Sequence, residues 1–198
     1  MPMNDIILIA IKEEAPELAD LPNVFFTGVG KVNAATVATE VILKHKPQRI
    51  INFGTAGGIT VQAGLHRCTK FVQRDMDCRA LGFEAGITPF DRHNEFSFGS
   101  GGITCATGDN FVNGSELLTP ADVVDMEAFA IAKACHDYEV EFVCWKYVTD
   151  QADESAHLDW NSRIAQGEQH YIQQLKALDS LDPLVSRSLR DLFISLRS

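Results

Sequence analysis

The chain has 198 residues, 45% of them apolar and 22% charged, and carries a net charge of −10. That length supports one domain with a substantial core, and the composition is that of an ordinary globular protein. The acidic balance disfavours DNA, RNA and anionic membrane surfaces, whose phosphates call for Lys and Arg.

Asp5 interrupts the apolar N-terminal stretch, and the run after it is too short to span a bilayer. The expectation is a soluble, cytoplasmic protein. Five cysteines, Cys68, Cys78, Cys105, Cys135 and Cys144, are scattered without a C-x-x-C pair. Such a set reads as reduced core thiols.

Ile6 to Ala10 is a continuous apolar run, as in a buried parallel strand. Glu13 and Glu14 follow, then Pro16, which fits the first turn of a helix. The two glutamates are therefore expected at a strand-to-helix junction. Val24 to Thr27 predicts the next strand. Gly28-Val29-Gly30-Lys31 predicts a tight turn that brings backbone close to a ligand, and a helix is expected from Val32 to His45, before Pro47. The sixth position of GVGKVN is Asn33, so the match to a dinucleotide-binding fingerprint is partial.

Arg49 to Phe53 predicts a buried strand, and Gly54-Thr55-Ala56-Gly57-Gly58 a glycine-rich loop at its end. Backbone N–H groups in such a loop suit an anion or sugar hydroxyls. His66 to Asp77 predicts a strand pair or a bent strand. Arg79 to Gly102, rich in glycine and phenylalanine, reads as a long loop of the kind used as a lid or an oligomer contact. Ile103 to Thr107 is a further short strand.

Val123 to Asp150 reads as strand, acidic junction, helix, strand and acidic tip. Ligands of α/β sheets sit beyond the carboxyl ends of strands. Glu127 and Asp150 each follow such an end and can converge on one cleft, while Asp125 suits a helix N-cap. Beyond it, Asp153, Glu154, His157 and Asp159 read as a solvated loop in preference to metal ligands. Two further helices are expected, one carrying Ile164, Ile172 and Leu175, the other carrying Leu184, Leu189 and Leu196 after Pro183. Alternating strands and helices make the class α/β with a mainly parallel core sheet.

Five stretches occur in one order: GVGKVNAA at Gly28–Ala35, NFGTAGG at Asn52–Gly58, TGDNFVNG at Thr107–Gly114, VVDMEAFAIA at Val123–Ala132 and VTDQAD at Val148–Asp153. Their series resembles the nucleoside phosphorylase/nucleosidase superfamily, and within it the 5′-methylthioadenosine/S-adenosylhomocysteine nucleosidases. The likeness runs from about Asp5 to Leu178. It implies a three-layer, Rossmann-like α/β fold with a mixed central sheet flanked by helices. One domain then spans 1–198, with a C-terminal helical extension at about 183–198.

The resemblance also implies cleavage of a purine N-ribosidic bond with no cofactor and no metal. Asp150 would protonate N7 of the leaving base, and Glu14 would activate water. Glu127 would grip the ribose hydroxyls beside Met126. Phe111 would stack on the purine, the backbone of Val112 would read its edge, and Thr55 would lie near the ribosyl carbon. Lys146, where many bacterial members carry arginine, would pair with Glu14 or Glu127. A homodimer is implied, in which Leu81 and Pro89 close the 5′ pocket of the neighbouring subunit.

The chemistry suits these residue types. An N-glycosidic bond breaks through an oxocarbenium-like state, so one carboxyl must donate a proton while others stay ionised. The segment from Glu17 to Gly28 is short for this family. The alternatives are a phosphorylase of the same fold, a hydrolase of another nucleoside such as futalosine, a module that binds nucleosides without chemistry, and a Rossmann cofactor-binding protein. Phosphorolysis is disfavoured because the N-terminal stretch IAIKEEAPEL offers acids to a phosphate dianion.

Overall fold

The computed structural model describes residues 5–112, 117–150 and 163–181. Eight strands form one sheet: β1 (Asp5–Ile9), β2 (Val24–Phe26), β3 (Arg49–Gly58), β4 (Gly64–Gln73), β5 (Glu95–Ser97), β6 (Ile103–Thr107), β7 (Val123–Asp125) and β8 (Glu141–Asp150). Among the described residues three helices accompany them: α1 (Lys31–His45), α2 (Ala128–Asp137) and α3 (Glu168–Leu181).

The strand period sorts the core into two layers. In β1, Ile6 and Leu8 join the cluster that contains α1 and α2 residues, such as Ala34, Ala38, Ile131 and Cys135. Ile7 and Ile9 join the opposite cluster with Phe53, Tyr171 and Leu175 of the α3 side. Successive strand side chains point to opposite faces, so a run apolar at every position must be covered on both. The fold is thus helix, mixed sheet, helix, as expected.

The sheet is not an open one. β3 pairs with β8, β8 with β4, β4 with β6, β6 with β7, and β7 returns to β3. These five strands close a circuit, while β1 and β2 extend it on one side and β5 on the other. The closing pairs β3–β7 and β4–β8 are antiparallel, whereas β1–β3, β3–β8, β4–β6 and β6–β7 are parallel.

Two local expectations are corrected, and one pair of alternatives is decided. Gly54–Gly58 is not a loop but the second half of β3, paired with β8 as far as Gly57. β4 is one strand of 10 residues, not a pair. Lys12–Glu14 forms a single 3-10 turn, and turns follow it where a helix was expected after Pro16. Five residues separate Pro16 from Pro22, too short a stretch for helix nucleation to succeed. The long segment before β6 carries a 3-10 turn at Arg79–Leu81 and the strand β5, which hydrogen-bonds along β4. The residues Asp153, Glu154, His157 and Asp159 and the helix expected after Pro183 lie outside the described residues.

Candidate active site

β1 and β7 lie along the same edge of β3, β1 beside residues 49–52 and β7 beside Gly57–Gly58. Between them that edge has no strand neighbour, so its backbone groups need other partners. Glu14 reaches into the gap. Thr55 donates both its backbone N–H and its hydroxyl to Glu14 Oε1, each at 2.7 Å. Glu14 is buried, and among the described residues its Oε2 has no hydrogen-bond partner. Gly54 makes room for this arrangement: a Cβ there would lie 3.1 Å from Lys146 Nζ and 3.5 Å from Glu14 Oε1.

A cavity of about 360 Å³ opens at this split, a size suited to a small organic ligand. Glu14, Thr55, Phe111, Val112, Met126 and Glu127 all line it. Phe111 is 46% exposed and Val112 is buried. The lining therefore combines an apolar, partly aromatic wall with carboxylates. Gly57 also lines the cavity and stands in register with Val124 on one side and Asp150 on the other. The β8 register shifts by one residue just before Asp150. That backbone end of β8 thus lies one strand away from the cavity wall.

Glu127 begins α2, and its Oε1 accepts the Gly30 N–H at 3.0 Å. The turn Gly28–Lys31 thereby contacts the site, with Val29 on the cavity wall. Burial pushes the Glu127 carboxyl up to about 7, the Asp125 charge adds to the rise, and Lys146 opposes it.

Asp125 is buried and fully partnered. Lys146 Nζ lies 2.8 Å from its Oδ2, which also accepts the Ala128 N–H at 2.8 Å. Thr107 donates its hydroxyl to Oδ1 at 2.5 Å and accepts the Phe129 N–H at 2.9 Å. Burial works against the Asp125 carboxylate, but Lys146 and these donors bring its pKa below the ordinary value. Burial likewise opposes the Lys146 ammonium, yet Asp125, followed by Cys144 and Glu127, holds its pKa well above the usual lysine range. Both shifts describe one ion pair.

Lys146 therefore pairs with Asp125, in place of the expected Glu14 or Glu127, and it is not part of the cavity wall. Leu81 is 72% exposed, Pro89 is partly buried, and neither lines the cavity of its own chain. The structure adds Arg74, a buried cavity residue just after β4. Its Nη1 donates to Asn110 Oδ1 at 2.8 Å, and its Nη2 to the carbonyls of Gly108 at 3.0 Å and Asn110 at 2.5 Å. The guanidinium ties the turn before Phe111 to the end of β4. A lone arginine after the apolar run Phe71-Val72 was the only signal for it in the sequence.

At the mouth, Lys31 donates its N–H to Asp109 Oδ1 at 2.7 Å, and its Nζ sits 2.6 Å from Asp75 Oδ1. Asp75 in turn accepts the Asp109 N–H at 2.8 Å. This network joins the ends of β4 and β6 to the start of α1.

A circuit of mixed strands with acids gathered where its edge splits is the arrangement of an enzyme site at a topological break in a sheet. The sequence profile of the phosphorylase superfamily matches residues 17–108 and 103–181. The chain belongs to that superfamily. It is 32% identical over 164 residues to the 5′-methylthioadenosine/S-adenosylhomocysteine nucleosidase of Haemophilus ducreyi, covering 68% of this chain and 69% of that protein. Its fold matches futalosine hydrolase of Helicobacter pylori with a TM-score of 0.83 at 21% identity, over 92% of this chain and 99% of that one. It also matches the Neisseria meningitidis 5′-methylthioadenosine/S-adenosylhomocysteine nucleosidase in complex with methylthio-immucillin-A. That TM-score is 0.72 at 24% identity, over 84% of this chain and 95% of that one.

Proposed function

We propose that this chain hydrolyses the N-ribosidic bond of a 5′-thio-substituted adenosine, 5′-methylthioadenosine or S-adenosylhomocysteine, and releases adenine. The coarser statement, a purine nucleosidase, rests on its superfamily membership and on the nucleosidase identity of its curated relative. The choice of substrate follows the name of that relative, and the observation that carries the hydrolytic reading is Glu14. One of its oxygens is held by Thr55 on the cavity wall, and the other has no partner among the described residues. A carboxylate fixed on one side and unpaired on the other suits a base for water.

In this mechanism Asp150 gives a proton to N7 of the base, and the C1′–N9 electron pair leaves with the adenine. Glu14 takes a proton from the water that bonds to C1′. Glu127 accepts hydrogen bonds from the ribose hydroxyls, and its ionised form offsets the positive charge on the sugar. Phe111 stacks on the purine, Val112 offers its backbone to the purine edge, and Met126 packs on the sugar. Leu81 and Pro89 are assigned to the 5′ pocket of a second copy in a homodimer. Phosphate is a poor alternative nucleophile here. Lys146 is neutralised by Asp125, Arg74 is bound to carbonyls, and Glu14 and Glu127 would repel a dianion.

The test is incubation with 5′-methylthioadenosine in phosphate-free buffer, followed by chromatography for adenine. Release is expected, and Asp150→Asn should abolish most of it. Turnover that depends on added phosphate would overturn the hydrolytic reading, and near-normal turnover of the Asn variant would overturn the acid assignment.

A further inference from the structure

Tyr171 is fully buried on α3, at the far side of the wall that carries Glu14. Its ring stacks on Phe53, with centroids 4.7 Å apart and planes at 21°. Phe53 immediately precedes Gly54 and Thr55, the residues that seat Glu14. The turn Ile164–Gly167 packs on the turn Lys12–Glu14. Gly167 makes room for the phenol tip against the first of these turns: a Cβ there would come within 2.5 Å of the Tyr171 hydroxyl and 2.8 Å of Tyr147 Cβ. The hydroxyl thus belongs to the layer on which Glu14 rests.

Among the described residues, buried polar atoms without partners in this layer include the Trp145 indole N–H, the Tyr171 hydroxyl and Glu14 Oε2; the last two concern the site. One is a donor and the other an acceptor. Burial, and after it the Glu14 charge, raises the phenol well above its usual pKa, so it keeps its proton. Buried polar groups are paired in nearly all folded proteins, directly or through water. Catalytic hydrogen bonds also commonly tighten only when substrate is bound.

We propose that Tyr171 is a positioning residue for Glu14, its hydroxyl serving Glu14 Oε2 directly or through one water in the substrate complex. The role rests on the reading of Glu14 as the base for water. Thr55 grips one carboxylate oxygen from the β3 side, and Tyr171 steadies the other from the α3 side. The carboxylate plane is then set before water attacks.

The test uses four proteins, the parent, Tyr171→Phe, Glu14→Gln and the double variant, with kcat, KM and Tm measured on 5′-methylthioadenosine. Phenylalanine keeps the stack on Phe53, so Tm and KM should stay at parent values while kcat falls about tenfold. In the Glu14→Gln background the same change should cost nothing further, because the hydroxyl acts through the lost carboxylate. An unchanged kcat, a Tm and KM that move with kcat, or multiplying losses in the double variant would each overturn the role of Tyr171. A parent that releases no adenine overturns the nucleosidase reading and this role together. A parent that does, with multiplying losses, overturns only the role of Tyr171.

Discussion

Asp125 and Glu14 are buried carboxylates on one cavity, and the protein treats them in opposite ways. Asp125 has an ammonium, a hydroxyl and a backbone N–H on its two oxygens. Glu14 has a hydroxyl and an N–H on one oxygen and, among the described residues, nothing on the other. A saturated buried carboxylate is a structural element, because its charge is already answered. An unsaturated one carries the cost of an unmet acceptor, which persists at sites where a ligand meets it. The division of labour between two acids thus follows from their partners, although both are buried to the same degree.

The strongest way to break that contrast is Glu14→Gln. It keeps the shape and the Thr55 contacts but removes the carboxylate proposed above as the base for water, so adenine release should fall about 10²–10⁴-fold with folding intact. A loss of less than about tenfold would place Glu14 on the structural side with Asp125.

Lys146→Met tests the opposite acid. It leaves the Asp125 charge buried and unanswered, and should lower stability by about 3–5 kcal/mol in urea unfolding. Adding Asp125→Asn should recover part of that loss. If the single variant is as stable as the parent, Asp125 is not the structural acid.

Glu127 stands between the two, with one backbone donor and a pKa pushed up to about 7. In the unfolded chain it would titrate near its ordinary 4.5. The folded state therefore holds a proton that the unfolded state releases between these values, and stability contributed by Glu127 falls as pH rises through that window. Glu127→Gln should flatten the decline, which is on the order of 3 kcal/mol. Urea midpoints from pH 4.5 to 7.5 read this directly, and an unaltered slope would remove Glu127 from the account.

The smallest effect is expected at the mouth. Lys31→Ala breaks a partly exposed network with Asp75 and Asp109, and should cost about 1 kcal/mol. Salt should shrink the difference, since screening weakens such pairs.

Local pattern made much of the fold legible. The apolar runs of β1, β6 and β8 and the helix that stops before Pro47 are close to where sequence reasoning put them. The closure of the strand circuit was not legible, because strand order and direction depend on contacts far apart in the chain. Gly54–Gly58 read as a loop because glycine disfavours strands in isolation, yet β8 pairs with all but the last of these residues. The acids of the site were visible as residues beyond strand ends. Which ones would be neutralised was not, since Lys146 is 21 positions from Asp125 in sequence and could serve any of three acids. Arg74 escaped notice because its partners are mostly backbone carbonyls, which leave no mark in side-chain pattern.

The closed circuit also fixes when the site comes into being as the chain is made. β3, at residues 49–58, must wait for β7 and β8, and the last strand ends only at Asp150. Contacts so distant in sequence form late, after a large loss of chain entropy. A growing polypeptide can build β1, β2 and α1 early, but the wall beside Glu14 has no opposite side until three quarters of the chain has emerged. The cavity is therefore completed in one step, with closure of the ring.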